Sequence, residues 1–425
     1  MSETPPIYDL VGVGFGPANL ALAIALTERD DDPAAVFLER QPGFGWHRGM
    51  LLDDATMQVS FLKDLVTLRN PASPFSFVSY LHQRGRLLDF VNHKSLFPLR
   101  VEFHDYLEWA AEQVAGAVHY GHDVIDVAPV VAGDVTVAFD VIAQGPRAAR
   151  AFRTRNVVFA TGLRPSVPDG VTLSDRVIHS HELLRRVDTV ADPKRLVVVG
   201  AGQSAAEVTA FLHTRFPAAE ICAVFSRYGY SPADDSPFAN RIFDPAAVGD
   251  FFGAPADVKT LMLDYHGNTN YSVVDGELID DLYRRVYREK VTGEQRLQMR
   301  NMTRLVKTET MDATVRATVR SLLTGEQEVL DADLLVCATG YHPADPSPLI
   351  EAILHECPGD DAGRLRVGRD YRVVTDPRVR AGIYLQGGTE HTHGISSSLL
   401  SNVAIRAGEI LDAIRRKGPL LTARR

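Results

Sequence analysis

The chain is 425 residues long, more than one hydrophobic core usually supports, so length alone implies two or more domains. Its composition, 45% hydrophobic and 23% charged, is that of a globular protein with frayed ends at its first and last few positions. A net charge of −9, from 45 basic and 54 acidic side chains, argues against nucleic acid or an anionic membrane as partner and points to small molecules.

The opening Met1-Ser2-Glu3-Thr4-Pro5-Pro6 lacks the basic start and apolar core of a signal peptide, and no apolar run is long enough to span a bilayer. A cytoplasmic protein with no membrane partner is therefore expected. Tyr8-Asp9-Leu10-Val11 reads as a short buried strand, which runs through Gly12-Val13-Gly14-Phe15-Gly16-Pro17-Ala18-Asn19 into the helical stretch Leu20 to Leu26. Val36-Phe37-Leu38-Glu39 is a second strand ending in an acid, at the spacing a dinucleotide fingerprint requires. In that reading Gly12 permits the tight turn and Gly14 lets the backbone approach a pyrophosphate. The helix start offers free N–H groups to the anion, and Glu39 takes the ribose hydroxyls. Pro17 stands where a third glycine is usual and is tolerated because a helix start needs no partner for its N–H. A purely structural glycine turn is the alternative, which strand, helix and acid in register disfavour. In Phe44-Gly45-Trp46-His47, Trp46 either stacks on the flavin or fills core, and taken alone core is the better reading.

Asn156 to Thr161 reads as a strand, and the Pro- and Gly-rich stretch Pro165 to Gly170 marks a first boundary. The strand Arg195 to Val199 then leads through Gly200-Ala201-Gly202-Gln203-Ser204-Ala205 into a helix reaching Thr214, repeating the same grammar. Ala205 takes the close-packing position and Ser204 sits at the helix start, ready to donate to phosphate. After the next strand, Ile221 to Phe225, no acid is available for a free 2′-hydroxyl. Ser226 and Arg227 suit a 2′-phosphate instead, favouring NADPH over NADH, unless Arg227 is merely a solvated surface charge. Asp333 to Thr339 is a further strand. Gln386 to Ile395 is a glycine-flanked loop opening a helix at Ser396 to Ser401, whose N-terminus, beside Gly394, gives a second resting place for a flavin's electron-rich edge. His391 and His393 lack a carboxylate or cysteine cluster, so no metal is expected. Cys222, Cys337 and Cys357 form no redox pair, which removes the disulfide reductases from the classes sharing two such units.

The fold class implied is α/β, with two Rossmann-like dinucleotide-binding domains, one for FAD and one for NADPH, and a small substrate-binding region between them. The economical layout assigns 1–190 and 333–425 to a flavin domain built from both ends of the chain. Residues 191–332 form an inserted nicotinamide domain of roughly 140 residues, carrying a substrate-binding segment at 236–290.

Several strings occur together and in order: Gly12 to Leu20, Met57-Gln58-Val59-Ser60-Phe61-Leu62-Lys63-Asp64-Leu65, Phe97-Pro98-Leu99-Arg100-Val101-Glu102-Phe103, Gly200 to Glu207, Asn268-Thr269-Asn270-Tyr271-Ser272-Val273-Val274-Asp275, Ala338 to Tyr341, and Glu390 to Gly394. In these the chain resembles, over essentially its whole length, the bacterial L-ornithine N5-monooxygenases, flavin-dependent N-hydroxylating enzymes of siderophore and related peptide biosynthesis. The resemblance implies that Lys63 holds the ornithine carboxylate, Asn240 contacts the amino-acid head, and Asn270 sits between NADP⁺ and the side-chain amine. It assigns Gln58 and the Trp46-His47 segment to the flavin, Met57 and Tyr271 to the mobile face of the isoalloxazine, and Arg100 to the reduced nicotinamide complex. Ser398, chosen over Ser401, completes the substrate site, and a homotetramer or dimer is implied. Picked blind, Lys63 would be a surface lysine and the asparagines turn residues.

The reaction implied is the conversion of NADPH, O₂ and L-ornithine into N5-hydroxyornithine, water and NADP⁺ through a C4a-hydroperoxyflavin. The protein must exclude water and present a neutral amine. An alkylamine titrates near ~10.4, so its neutral form costs roughly 4 to 5 kcal/mol at pH 7 unless desolvation lowers that value. A neutral amide such as Asn270 suits this need better than a carboxylate, which would hold the amine protonated. L-lysine, one methylene longer, is the alternative substrate, since packing alone separates the two by only ~1–3 kcal/mol. Baeyer–Villiger or sulfur-oxygenating chemistry is a second alternative, and a cofactor-binding sensor that consumes no oxygen a third.

Overall fold

The computed structural model describes residues 6–29 and 33–417, so the readings of Met1 to Pro5 and of the frayed C-terminus lie outside the described residues. A first parallel sheet has the strand order Gly382–Leu385, Asn156–Phe159, Leu10–Val13, Ala35–Glu39, Val118–Tyr120. Its strands are apolar on both faces because both are covered. Leu10, Phe37, Val158 and Tyr384 face one core with the helices Pro17–Thr27, Arg100–Gln113 and Val403–Lys417. Val11, Val13, Val36, Leu38, Val157 and Phe159 face the other core, beneath an antiparallel sheet that includes Asp123–Ala132, Val135–Gln144 and Ala149–Thr154.

The first strand lies two residues later than the sequence suggests. Ile7–Tyr8 is drawn off to pair with Arg153 and Thr154 of the antiparallel sheet. Asp9, between the two segments, accepts from Ala34 N at 3.1 Å and ion-pairs with Arg155 at 3.3 Å. The core strand is consequently Leu10–Val13, with Gly12 inside it.

The second parallel sheet runs Val177–His179, Leu334–Cys337, Arg195–Val199, Glu220–Val224, Leu297–Arg300. It corrects both proposed boundaries, because strands on the far sides of 190/191 and 332/333 belong to the inserted unit. Register explains this: Val177 pairs with Leu335 and Leu196 with Leu334, and all four side chains are fully buried only in that sheet. The two crossings lie farther out, at Leu163–Pro165 and Tyr341–Pro343, which pair antiparallel as a two-stranded linker. One face of this sheet packs on the antiparallel strands Thr303–Thr310, Val315–Ser321 and Gln327–Ala332, the other on the helices Gln203–Arg215 and Gly276–Thr292. Since Leu278, Leu282 and Val286 join that core, the end of the expected 236–290 segment is part of the nicotinamide unit.

Between the units, residues 236–275 form short turns and the helices Pro245–Gly253 and Ala256–His266. At the C-terminus the serine run opens no continuous helix. Ile395–Ser398 and Leu400–Asn402 are single turns separated by extended Leu399, and the long helix starts at Val403. Serine hydroxyls offer the backbone non-helical alternatives, which accounts for the delay. All three cysteines are buried and free, and no helix among the described residues is long and apolar enough to cross a membrane.

Candidate functional site

At the first glycine loop Gly12 and Gly14 each serve a purpose other than the one expected. A Cβ on Gly12 would lie 2.3 Å from the Phe37 ring and 2.9 Å from the Asn19 amide, so Gly12 permits close packing within the sheet. Gly14 makes the turn at φ 84°, where a side chain would meet the Ala160 carbonyl at 2.6 Å. Gly16, which the sequence reading quoted but gave no role, has open space on its Cβ side and caps the helix, with Pro17 at its first position. That open approach beside free helix-start N–H groups is what a diphosphate needs. Buried Glu39 accepts from Phe15 N at 2.6 Å and from Gln41 N at 2.8 Å, which fixes its carboxylate at the loop's rim. Each oxygen keeps a lone pair for a ribose hydroxyl.

The second loop is built alike. Gly200 has φ 144°, and a Cβ there would strike the Ala338 carbonyl at 2.2 Å and the Ala205 methyl at 3.1 Å. Ala205 is fully buried, Ser204 lies in the first helical turn, and Gly202 caps the helix with Ser272 Cα 3.3 Å from where its side chain would be. The segment 268–275 therefore lies directly over this loop. Ser226 and Arg227 are exposed beyond Glu220–Val224, and Arg227 Nη1 donates to the Ser272 carbonyl at 2.9 Å.

Residues expected around the flavin converge between the two sheets. Trp46, half-buried, packs on the first core and meets Phe103 edge-on. His47 holds a left-handed conformation at φ 49°, with its ring 5.6 Å from that of Tyr341. Burial, then the charges of Arg100 and His181, lower its pKa to about 4, so the imidazole is neutral. Met57 is buried in the first core, whereas Gln58 is exposed and donates to Asp275 Oδ2 at 2.6 Å. Arg100 differs from expectation. Its Nη atoms donate to Glu207 at 2.8 and 2.7 Å and to the carbonyls of Met50 and Thr56 at 3.1 and 3.3 Å. With four of its five N–H donors engaged, Arg100 clamps the two units together, and only Nε–H is free to meet a nicotinamide.

Three of the substrate candidates lie on neighbouring elements. Lys63 Nζ sits 5.8 Å above the Phe243 ring, and Phe243 ends the turn Ala239–Phe243 that carries Asn240. Asn240 is pinned by donating from Nδ2 to the Asp235 carbonyl at 2.7 Å. That turn packs against Ile395–Ser398, which brings Ser398 to the same place, its Oγ accepting from Gly388 N at 3.4 Å. Burial lowers the Lys63 pKa, and Asp244 partly offsets the shift. Asn270 stands beside Tyr271, whose hydroxyl donates to Glu390 of the flavin unit. Burial and then that carboxylate raise the Tyr271 pKa, so the phenol stays protonated. Gly394 follows at φ 78°, with the Phe251 ring filling the space a side chain would take.

Glu207 and Glu390 were quoted within motifs but had no role, because only the fold gives them partners in the other unit. Gln386, Thr389 and Ser397, within the glycine-flanked loop and serine run that the sequence singled out, and Asn402 just beyond them have buried polar side-chain atoms with no hydrogen-bond partner among the described residues. Orphaned polar atoms beside the C-terminal edge of the first sheet are what a polar ring ligand would satisfy. His391 Nε2–H donates to the Leu365 carbonyl at 3.0 Å, and His393 stacks on Tyr371 with ring centroids 4.1 Å apart. No group of three or more metal-ligating side chains exists among the described residues.

Residues 6–343 match the family described as L-lysine 6-monooxygenase/L-ornithine 5-monooxygenase. An L-ornithine N(5)-monooxygenase of Burkholderia cepacia is 42% identical over 400 residues, covering 91% of this chain and 90% of that protein. Among solved structures, the KtzI-FADred-NADP+-L-orn complex of the Kutzneria sp. 744 ornithine N-hydroxylase is 50% identical with a TM-score of 0.94, covering 97% of this chain and 99% of that one. The L-lysine 6-monooxygenase of Pseudomonas syringae is 31% identical with a TM-score of 0.84, covering 96% and 99%.

Proposed function

Because this chain belongs to the L-lysine 6-monooxygenase/L-ornithine 5-monooxygenase family, we propose that it hydroxylates the side-chain nitrogen of L-ornithine, giving N5-hydroxyornithine. It is an NADPH-dependent flavin monooxygenase. The observation that supports the substrate reading is Lys63 Nζ lying 5.8 Å over the Phe243 ring, in the turn that carries Asn240 and packs against Ile395–Ser398.

The residues fit both cofactors. Gly14, Gly16 and the helix start at Pro17 receive the FAD diphosphate, Glu39 its ribose, and Trp46, His47, Met57 and the orphaned amides of Gln386 and Asn402 its ring. Gly200, Gly202, Ser204 and Arg227 receive NADPH. FAD supplies the passage of electrons from NADPH to O₂ and the delivery of one oxygen atom.

The protein's own part is positioning and proton control. The Lys63 ammonium pairs with the substrate carboxylate, and its partial burial makes that pair stronger than a surface one. Asn240 and Ser398 give the amino-acid head neutral hydrogen-bonding groups. Asn270 holds the side-chain nitrogen without a negative charge, so the neutral amine is not opposed by a carboxylate in direct contact. The apolar walls of Met57 and Phe243 keep water from the reacting atoms.

The likeness to the family also supports delivery of the product to siderophore or related peptide assembly, a homotetramer or dimer, and a cytoplasmic location. The deciding experiment follows NADPH oxidation and hydroxylamine formation with L-ornithine, L-lysine, cadaverine and a cyclic ketone. Hydroxylamine from ornithine alone is expected, and none from any amine overturns the proposal.

A further inference from the structure

Residues 268–275 form a strap drawn from the nicotinamide unit across the second glycine loop. Its end is tied at Asp275, which accepts from Gln58 at 2.6 Å and from Gln203 at 3.0 Å, one residue from each unit. Its middle is strained at Ser272, a serine at φ 55°, where Arg227 holds the carbonyl. Asn270, the residue proposed to hold the reacting nitrogen, precedes this kink and lies in an irregular conformation, φ −141° and ψ −35°, after the turn Gly267–Thr269. Its backbone N–H reaches only back into that turn, to the Gly267 carbonyl at 3.3 Å. The next residue reaches the other unit: the Tyr271 hydroxyl donates to Glu390, which begins the short helix Glu390–His393.

Glu390 is itself held from behind. Its helix packs on Pro245–Gly253, the Phe251 ring closes on Gly394, and His393 stacks on Tyr371 while its Nε2–H donates to the Arg369 carbonyl at 3.3 Å. The carboxylate thus stands on a fixed platform of the flavin unit, while the phenol that reaches it is on the strap. Asn270 directly precedes Tyr271 in the chain, so anchoring the phenol fixes where the strap carries the amide.

We propose that Glu390 is a positioning residue for N-hydroxylation, latching the strap to the flavin unit through Tyr271 and thereby setting the direction of the Asn270 amide. A carboxylate suits this task because a charge-assisted bond from a phenol is short and strong. Acting through the Tyr271 phenol rather than on Asn270 itself keeps the carboxylate out of direct contact with the amine, which must be neutral to react. The inference rests on the reading of Asn270 given above.

The test compares Glu390→Ala, Glu390→Gln, Tyr271→Phe and Glu390→Ala/Tyr271→Phe, each as the purified FAD-loaded enzyme. The first readout is hydroxylated ornithine formed per NADPH oxidised. The second, independent of turnover, is amide hydrogen exchange of the peptide spanning 267–275. With the latch lost, Glu390→Ala should lower the product ratio roughly tenfold and speed exchange of that peptide by a similar factor, the size a charge-assisted hydrogen bond sets. Glu390→Gln, which keeps an acceptor carbonyl, should recover most of both. The double variant should lose no more than either single one. Normal coupling and exchange in Glu390→Ala, or independent and multiplying losses in the double variant, overturns the latch. Wild-type enzyme that forms no hydroxylamine from ornithine would instead overturn the functional reading on which it rests.

Discussion

Arg100 and Glu207 face each other across the two dinucleotide units in a two-point ion pair, Nη1 to Oε2 at 2.8 Å and Nη2 to Oε1 at 2.7 Å. Their side chains are only 12% and 6% exposed, so breaking the pair strands a buried charge. Removal of one partner of a buried pair costs about 3–5 kcal/mol, whereas replacing both with apolar groups is often nearly neutral. Glu207→Ala should therefore lower the thermal unfolding midpoint sharply, while Arg100→Met/Glu207→Leu should recover most of the loss. A Glu207→Ala protein that melts with the wild type would show that the clamp contributes nothing.

Lys63 gives a pH prediction whose sign follows from its environment. Burial lowers its pKa below the ordinary 10.5, so the ammonium that pairs with the substrate carboxylate is lost earlier as pH rises. The KM for ornithine should climb on the alkaline side in wild type and climb less in Lys63→Arg, because a guanidinium stays charged. Lys63→Ala should raise KM roughly 10- to 100-fold at neutral pH, the range for a hydrogen bond to a charged group. Superimposable alkaline profiles for wild type and Lys63→Arg would remove Lys63 from the carboxylate site.

Arg227 separates NADPH from NADH. It is exposed at the end of Glu220–Val224, and no acid follows that strand to accept a free ribose hydroxyl. Arg227→Ala should raise the KM for NADPH by about one to two orders of magnitude through loss of a charge-assisted contact to the 2′-phosphate. Its KM for NADH should stay near the wild-type value. Equal effects on both cofactors would point to the Arg227 to Ser272 bond, and hence to the strap, as the residue's whole role.

The sequence made the two glycine loops legible because their constraint is local: Gly14 and Gly200 need positive φ, and the following helices start where Pro17 and Ser204 predict. The strand shift from Tyr8 to Leu10, by contrast, depends on Arg153 pulling Ile7 into another sheet, which no local pattern records. Domain limits failed for the same reason, since Val177 and Leu335 are apolar in either unit and only register decides their sheet. Lys63, Asn240 and Asn270 became visible through family motifs alone. The partners of Glu207 and Glu390, by contrast, depend on how the two units dock.

Two buried histidines make stability pH-dependent. His179, fully buried beside the linker, bonds the Gly340 carbonyl at 3.0 Å, and His393, 1% exposed, stacks on Tyr371. Burial lowers both from 6.5 to about 4, so each is neutral in the fold while its unfolded counterpart takes up a proton below 6.5. The stability they contribute is complete above pH 6.5, declines as pH falls toward 4, and declines no further below that. Each histidine should add about 1.4 kcal/mol per pH unit to the slope within this window. Urea unfolding of His393→Gln between pH 7 and pH 4.5 should therefore show a slope shallower than wild type by about that amount. Parallel slopes for the two proteins would mean that His393 is already protonated in the folded state, at odds with its stacked and buried ring.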